Sequence, residues 1–395
     1  MRDALDPVDR PRGATKALAW IAAECEDVAP RRPLDALRDT RRGAAALTAW
    51  FRETVEVRDA EGSERILRTL VEEHRDAAAR DAVFRACTDH RYGDGGHMLD
   101  FGVKCGELAA RFPSDRALQA LLYTSLVPPL TAMQRSEETS PWRMPVDVAG
   151  LVQACAADLP ERFGDAPLDD EAAYAERLLE DDPEKVLGSI TARARGGTSP
   201  VALAEAVIGA ATRRVLRFGP ANEIPDWETV HHTLTYANAV AEAMSVAPSR
   251  DLFRGVLDGA ASVYLDRFLN VPPHPLPRAP GGAPDPREML ALFDRRGSVE
   301  DATALALGWL QDGGAPDRLL AVLAHAVLRE DAGFHDHQAI DLAWRRLQRR
   351  GNDPEAQWTL VACARFLAAR YPTRRAQEQT YTIALRLHRG ETLHE

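Results

Sequence analysis

The stretch Ser199-Pro200-Val201-Ala202-Leu203-Ala204-Glu205-Ala206-Val207-Ile208-Gly209-Ala210-Ala211-Thr212-Arg213-Arg214-Val215-Leu216 decides the fold class. Ser199 ahead of Pro200 sets an N-cap residue before a proline at the first helical position, where a missing N–H costs nothing. Val201, Ala204, Ile208, Ala211 and Val215 then recur every three or four residues, as one face of an α-helix requires. Working outward, the same signals return along the chain. Asp353-Pro354 opens another such run, and Ser298-Val299-Glu300-Asp301 has the spacing of a capping box ahead of Leu305, Trp309 and Leu310. No stretch alternates apolar and polar residues for about six positions with β-branched enrichment. The chain therefore reads as all-α: an irregular array of about sixteen to eighteen antiparallel helices with no significant sheet. Repeat signatures with a period of about 34 to 47 residues are missing, so the array is not a regular solenoid.

Composition narrows the function classes. The 395 residues are 45% apolar and 28% charged, which suits a folded chain with a sizeable core. With 49 basic against 60 acidic side chains the net charge is −11, which argues against a phosphate-neutralising nucleic-acid surface. No apolar run of about 18 residues offers a membrane span, and the start MRDALDPVDR carries acids in place of an apolar signal segment. The five cysteines (Cys25, Cys87, Cys105, Cys155 and Cys363) are scattered and contain no CxxC, the pattern of reduced thiols in a cytoplasm. Arginine supplies almost all of the basic residues; the lysines are Lys16, Lys104 and Lys185 alone. Such a bias has the look of a GC-rich genome, and a lysine that survives it carries more weight. Two proline-rich segments, 128–147 and 269–287, interrupt the helical texture. They suggest a main body over 1–268, a loop or linker over 269–287, and a C-terminal helical part over 288–395 packed on the main body as one domain.

Nucleotide, serine-hydrolase, zinc-protease and kinase motifs are missing. A di-iron carboxylate site needs two ExxH motifs; Glu228-Thr229-Val230-His231 is a single one. Histidine is the residue with a pattern. His90 and His97 flank the glycine-rich turn in Asp89-His90-Arg91-Tyr92-Gly93-Asp94-Gly95-Gly96-His97-Met98-Leu99-Asp100, with Asp100, Lys104, Glu107 and Arg111 following His97 on one helical stripe. His231 and His232 open VHHTLTYANAVAEAM, which Asp226 can cap; they point about 100° apart, so one of them reaches a given ion. Tyr236 follows His232 by one turn. His325 sits in LLAVLAHAVL and is expected to be buried, with His335 and His337 beyond the next turn. The bland account makes these an amphipathic helix with a solvated face, a buried polar network and a core histidine. The functional account has imidazoles from several helices converging on iron, copper or zinc.

The segments DHRYGDGGHMLDFGVK, HHTLTYANAV with SVYLDRFLNVP, and LAHAVLREDAGFHDHQ resemble a helical domain found beside Rieske iron–sulfur domains in bacterial proteins and, more loosely, questin-oxidase-like proteins. The resemblance covers most of residues 15–375. It implies a redox-linked, metal-binding domain and points to His90, His97, Asp100 and Lys104, to His232, Tyr236 and Asn238, and to His325, His335 and Gln338. A Rieske cluster needs a CxH and a CxxH; Cys87-Thr88-Asp89-His90 has the second spacing and no CxH exists, so no Rieske cluster is expected. The leading expectation is a metal-dependent, non-haem iron oxidoreductase or oxygenase acting on a small organic substrate in specialised metabolism, with an electron-donor protein as a possible partner. His90, His97, His232, His325 and His335 would be its ligands, and Lys104, Tyr236 and Asp100 its acid/base or substrate-orienting groups. The alternatives are a non-enzymatic helical scaffold for a partner protein and a haem-binding helical protein. Neither nucleic acid nor membrane is an expected partner.

Overall fold

The structure, a computed structural model, describes residues 5–29, 31–139, 144–279, 281–282 and 285–392. Among them are nineteen α-helical segments, of which Ser136–Thr139 and Met289–Leu292 are single turns, leaving seventeen in the expected range. The only β-pairing among the described residues is an isolated bridge between Ala166 and Thr198. Among the described residues, no helix is long and apolar enough to cross a membrane.

Helix starts follow from short acidic side chains that accept otherwise unpaired first-turn N–H groups. Asp59 accepts from Gly62 N, Asp115 from Leu118 N and Asp147 from Gly150 N, each at 2.9 Å. The Pro200–Leu216 and Pro354–Arg370 helices begin at their prolines as expected, and Asp353 accepts from Glu355 N at 2.8 Å. Ser298 departs from the expected capping box. Its hydroxyl points back to the backbone oxygens of Leu292 and Arg295, at 2.8 and 3.1 Å, and caps the preceding turn in place of Val299–Gln311. The segment 128–147 also differs from the expected irregular loop. Pro128 and Pro129 fall in the first turn of a short helix, Val127–Ala132, where a proline ring fits, and Ser136–Thr139 adds a further turn. Residues 140–143 of that segment lie outside the described residues.

The chain forms two compact units, the first of residues 1–30, 212–231 and 267–395, the second of 31–211 and 232–266. Two of the boundaries, 211/212 and 231/232, fall inside the Pro200–Leu216 and Ile224–Val246 helices, where no change of composition marks them. In the first unit, the Val299–Gln311 and Phe334–Arg350 helices pack on Pro354–Arg370. Phe218 meets Trp227 edge-on at 4.9 Å, and fully buried Arg365 donates to Phe218 O at 2.7 Å, Glu300 Oε1 at 2.6 Å and Thr303 Oγ1 at 3.1 Å. The proline-rich segment belongs to this same unit: Asn270 Oδ1 accepts from Gly219 N at 2.9 Å, and His274 N donates to Arg217 O at 2.9 Å. In the second unit, the Ala44–Glu56 helix lies along Ala60–Cys87, against which His97–Ala110 and Arg116–Thr124 also pack. Arg250–Asp266 packs on Val148–Ala157 and Pro183–Arg195. Phe51, Leu67, Leu70, Val83 and Phe253 are fully buried in that unit.

Candidate functional site

The glycine-rich turn does in space what its composition suggests. Tyr92, Asp94, Gly95 and Gly96 all take left-handed backbone angles, with φ of 53°, 50°, 65° and 87°. Asp94 N donates to Gln134 O at 2.9 Å and holds the turn from outside. The chain then enters the His97–Ala110 helix. His97 meets the ring of His232 edge-on, with centroids 4.6 Å apart, and stacks on Phe101 at 6.0 Å. A Cβ on Gly95 would stand 3.4 Å from His232 Nδ1, and one on Gly96 would stand 2.8 Å from Tyr236 Cβ and Cδ2. Two consecutive glycines therefore lie against two residues one turn apart on Ile224–Val246, a helix that starts two residues before Asp226. The close approach is what brings the imidazoles of His97 and His232 together.

Tyr236 is 2% exposed, and its ring lies between Gly96 and the Arg250–Asp266 helix. On that helix a Cβ at Gly255 would come within 3.2 Å of the Tyr236 hydroxyl, and one at Gly259 within 4.0 Å of Cδ1. Tyr92 meets the ring edge-on at 5.1 Å. The Tyr236 hydroxyl has no hydrogen-bond partner among the described residues, and neither has Oδ1 of Asp258, which is 1% exposed. Burial pushes the Asp258 carboxyl up to about 7, against the opposing pull of the Arg91 guanidinium. The same burial, with Asp258 nearby, pushes the Tyr236 phenol well above its ordinary value. Tyr236 therefore stays a neutral phenol near pH 7. As a neutral phenol it is able to donate a hydrogen bond.

His335 opens the Phe334–Arg350 helix, whose first turn is closed by Gly333 N donating to Asp336 Oδ2 at 2.8 Å. Its Nδ1 stands 3.5 Å from Glu228 Oε1; Arg370 holds that carboxylate at 2.6 Å and Asp336 at 2.9 Å. Burial pushes the His335 imidazole below its ordinary value and keeps it neutral, the form a metal requires. His231, its neighbour in space, plays the core role: it is 1% exposed, stacks on Phe366 at 3.9 Å, and donates Nε2–H to His335 O at 3.0 Å.

Other sequence candidates separate here. Among the described residues, one group of histidine, cysteine, aspartate and glutamate side chains is able to hold a metal ion: His97, His232 and His335. His90 and His325 are outside it. His90 Nδ1 bonds Glu137 at 2.8 Å and its Nε2 bonds Glu56, so both ring nitrogens carry protons, and the bond to Glu137 in particular pushes the imidazole up. An imidazolium held between two carboxylates has no lone pair to give a metal. His325 was expected to be buried, yet 32% of its side chain is exposed and Nδ1 bonds Asp9 at 2.8 Å. The reason is helical phase: Leu323 and Val327 face the core, and His325 lies about 200° round the axis from each. Asp100 is buried on the His97–Ala110 helix, and half-buried Lys104 lies 4.0 Å from Glu107. Sequence reasoning missed Asp258. Its signal was an aspartate in an apolar helix, repeated at Ser262 and Asp266 on one stripe. Glu228 was noticed only for its spacing to His231, whereas its carboxylate serves His335.

No family model matches the chain, and neither a curated protein nor a solved structure matches it.

Proposed function

We propose that the chain is a metal-dependent oxidoreductase acting on a small organic molecule, with a transition-metal ion held by His97, His232 and His335. The observation that carries this reading is that donor set itself. Three imidazoles suit iron, copper or zinc, and three protein ligands leave coordination positions open for a substrate or water. Iron is the metal that an oxidoreductase role favours. When bound, the metal would supply Lewis acidity and electron transfer.

The chain's own residues supply the rest. Glu228 accepts the Nδ1 proton of His335, which leaves Nε2 as the ligand atom and fixes the plane of the ring. Gly95 keeps the space beside His232 open. Tyr236 keeps its phenolic proton and orients groups through it. Asp100 and Lys104, on the helix that His97 opens, are the remaining candidates for moving protons.

The test uses untagged protein reconstituted separately with Fe(II), Cu(II) and Zn(II), followed by removal of free metal and elemental analysis. One equivalent of metal is expected for wild type, with loss in His97→Ala, His232→Ala and His335→Ala and retention in His325→Gln. Wild-type protein that holds no metal after reconstitution would overturn the proposal.

A further inference from the structure

Lys16 lies outside the histidine donor set. It projects from the Arg10–Cys25 helix, and its Nζ donates to the backbone oxygen of Val327 at 3.2 Å and to that of Glu330. These oxygens lie at the C-terminal end of the Pro316–Arg329 helix, where carbonyls lack partners within the helix. Two of the nitrogen's hydrogens serve these carbonyls, so on loss of the third proton the lone pair takes the remaining position. The amine borders a cavity of ≈ 140 Å³ whose lining includes Thr15, Ala19, Leu328 and Tyr381. A cavity of about 150 Å³ with apolar walls accepts a molecule the size of benzene, so this one has room for a chain of about four carbons. Glu330, Asp331, Glu378 and Asp336 all favour the ammonium, yet burial outweighs them and pushes the amine down to about 8. Lys185 is the opposite case, 75% exposed and held up by Asp182.

We propose that Lys16 is a reactive amine that condenses with small apolar aldehydes, whose carbon chain occupies the adjoining cavity. The nitrogen lone pair attacks the carbonyl carbon, the C=O π bond opens to a carbinolamine, and loss of water leaves a C=N bond. Both amine hydrogens depart with the carbonyl oxygen as water, and nothing is oxidised or reduced.

The test treats the full chain with butanal and sodium cyanoborohydride at pH 7, the hydride being added to trap the imine, and maps the butylated lysines by peptide mass spectrometry. The difference between Lys16 and Lys185 makes the free amine at Lys16 more abundant by roughly 300-fold or more. Even with restricted access, Lys16 should label at least about ten times faster than Lys185. The preference should vanish in denaturant, where the three lysines become alike. Ala19→Trp, which fills the cavity and leaves both carbonyl bonds in place, should abolish the preference for butanal and keep it for formaldehyde. Labelling of Lys16 no faster than Lys185, a preference that survives denaturation, or an Ala19→Trp protein that still prefers butanal would each overturn the assignment.

Discussion

Replacing Asp258 by asparagine isolates the energetic consequence of burying one carboxyl. The group lies on the Arg250–Asp266 helix with 1% of its surface exposed, and its Oδ1 has no hydrogen-bond partner among the described residues. In the unfolded chain an aspartate releases its proton near 3.8; in the fold Asp258 releases it at about 7. The folded state therefore binds the proton more tightly, so the stabilisation is complete below the unfolded value and is lost as pH rises through the folded one. One pH unit of difference is worth about 1.4 kcal/mol, so between pH 5 and pH 8 this single group should lower wild-type stability by about 2–3 kcal/mol. Asparagine resembles the protonated acid and does not titrate, so the variant lacks this component. The assay is urea unfolding of both proteins at pH 5, 6, 7 and 8, following the difference in stability, in which the titrations of all other groups cancel. The variant should gain on wild type at each step and overtake it at the alkaline end. A difference that stays flat with pH, or that shifts toward wild type, would refute the assignment of a neutral buried carboxyl.

Other outcomes follow from particular contacts. Gly96→Ala would force a side chain into a φ of 87° and against Tyr236 at 2.8 Å, costing about 3 kcal/mol in chemical unfolding. Glu228→Gln, on the proposed metal reading, should weaken metal affinity by about 10- to 100-fold in titrations while the metal-free melting temperature stays near wild type. His90→Asn should cost more stability at pH 6 than at pH 9: the raised imidazolium stabilises the fold fully below the ordinary histidine value and stops doing so as pH passes its own. Urea unfolding at the two pH values checks this. Arg365→Leu should lower the urea midpoint by the equivalent of about 1–3 kcal/mol, since it strands Phe218 O in the core.

The fold class was legible because helix signals are local. Pro200, Pro354 and Asp353 mark their helices within a few residues of sequence, and the apolar spacing behind them survives into the structure. What failed was also local in origin: Ser298 had two possible partners within six residues, and sequence alone could not say which side its hydroxyl would serve. The pairing of His97 with His232 rests on an approach between segments over 130 residues apart, and the only written trace of it was the pair of glycines before His97. His90 and His325 looked equivalent to the others because the carboxylates that claim them, Glu56, Glu137 and Asp9, come from distant parts of the chain. Two of the unit boundaries, 211/212 and 231/232, were invisible for a different reason, since they fall within continuous helical sequence.

The seating of Tyr236 carries a lesson for anyone who diversifies this sequence. Gly96 has no room for a side chain beside the ring, since a Cβ would stand 2.8 Å from Tyr236 Cβ and Cδ2. At Gly255 two residues close the space together, Val240 Cγ2 at 2.9 Å and the Tyr236 hydroxyl at 3.2 Å, while at Gly259 the near neighbour is Val207 Cγ1 at 3.1 Å. A library that randomises Gly96 or Gly255 alone will return almost nothing but glycine, whereas one that shrinks residues 236 and 240 at the same time should recover alanine at 255. Position 96 will stay glycine, because its backbone angle excludes side chains even after the ring has gone. Among related sequences, a small residue at 255 should accordingly track large side chains at 236 and 240, and that correlation would identify the seat without any structure.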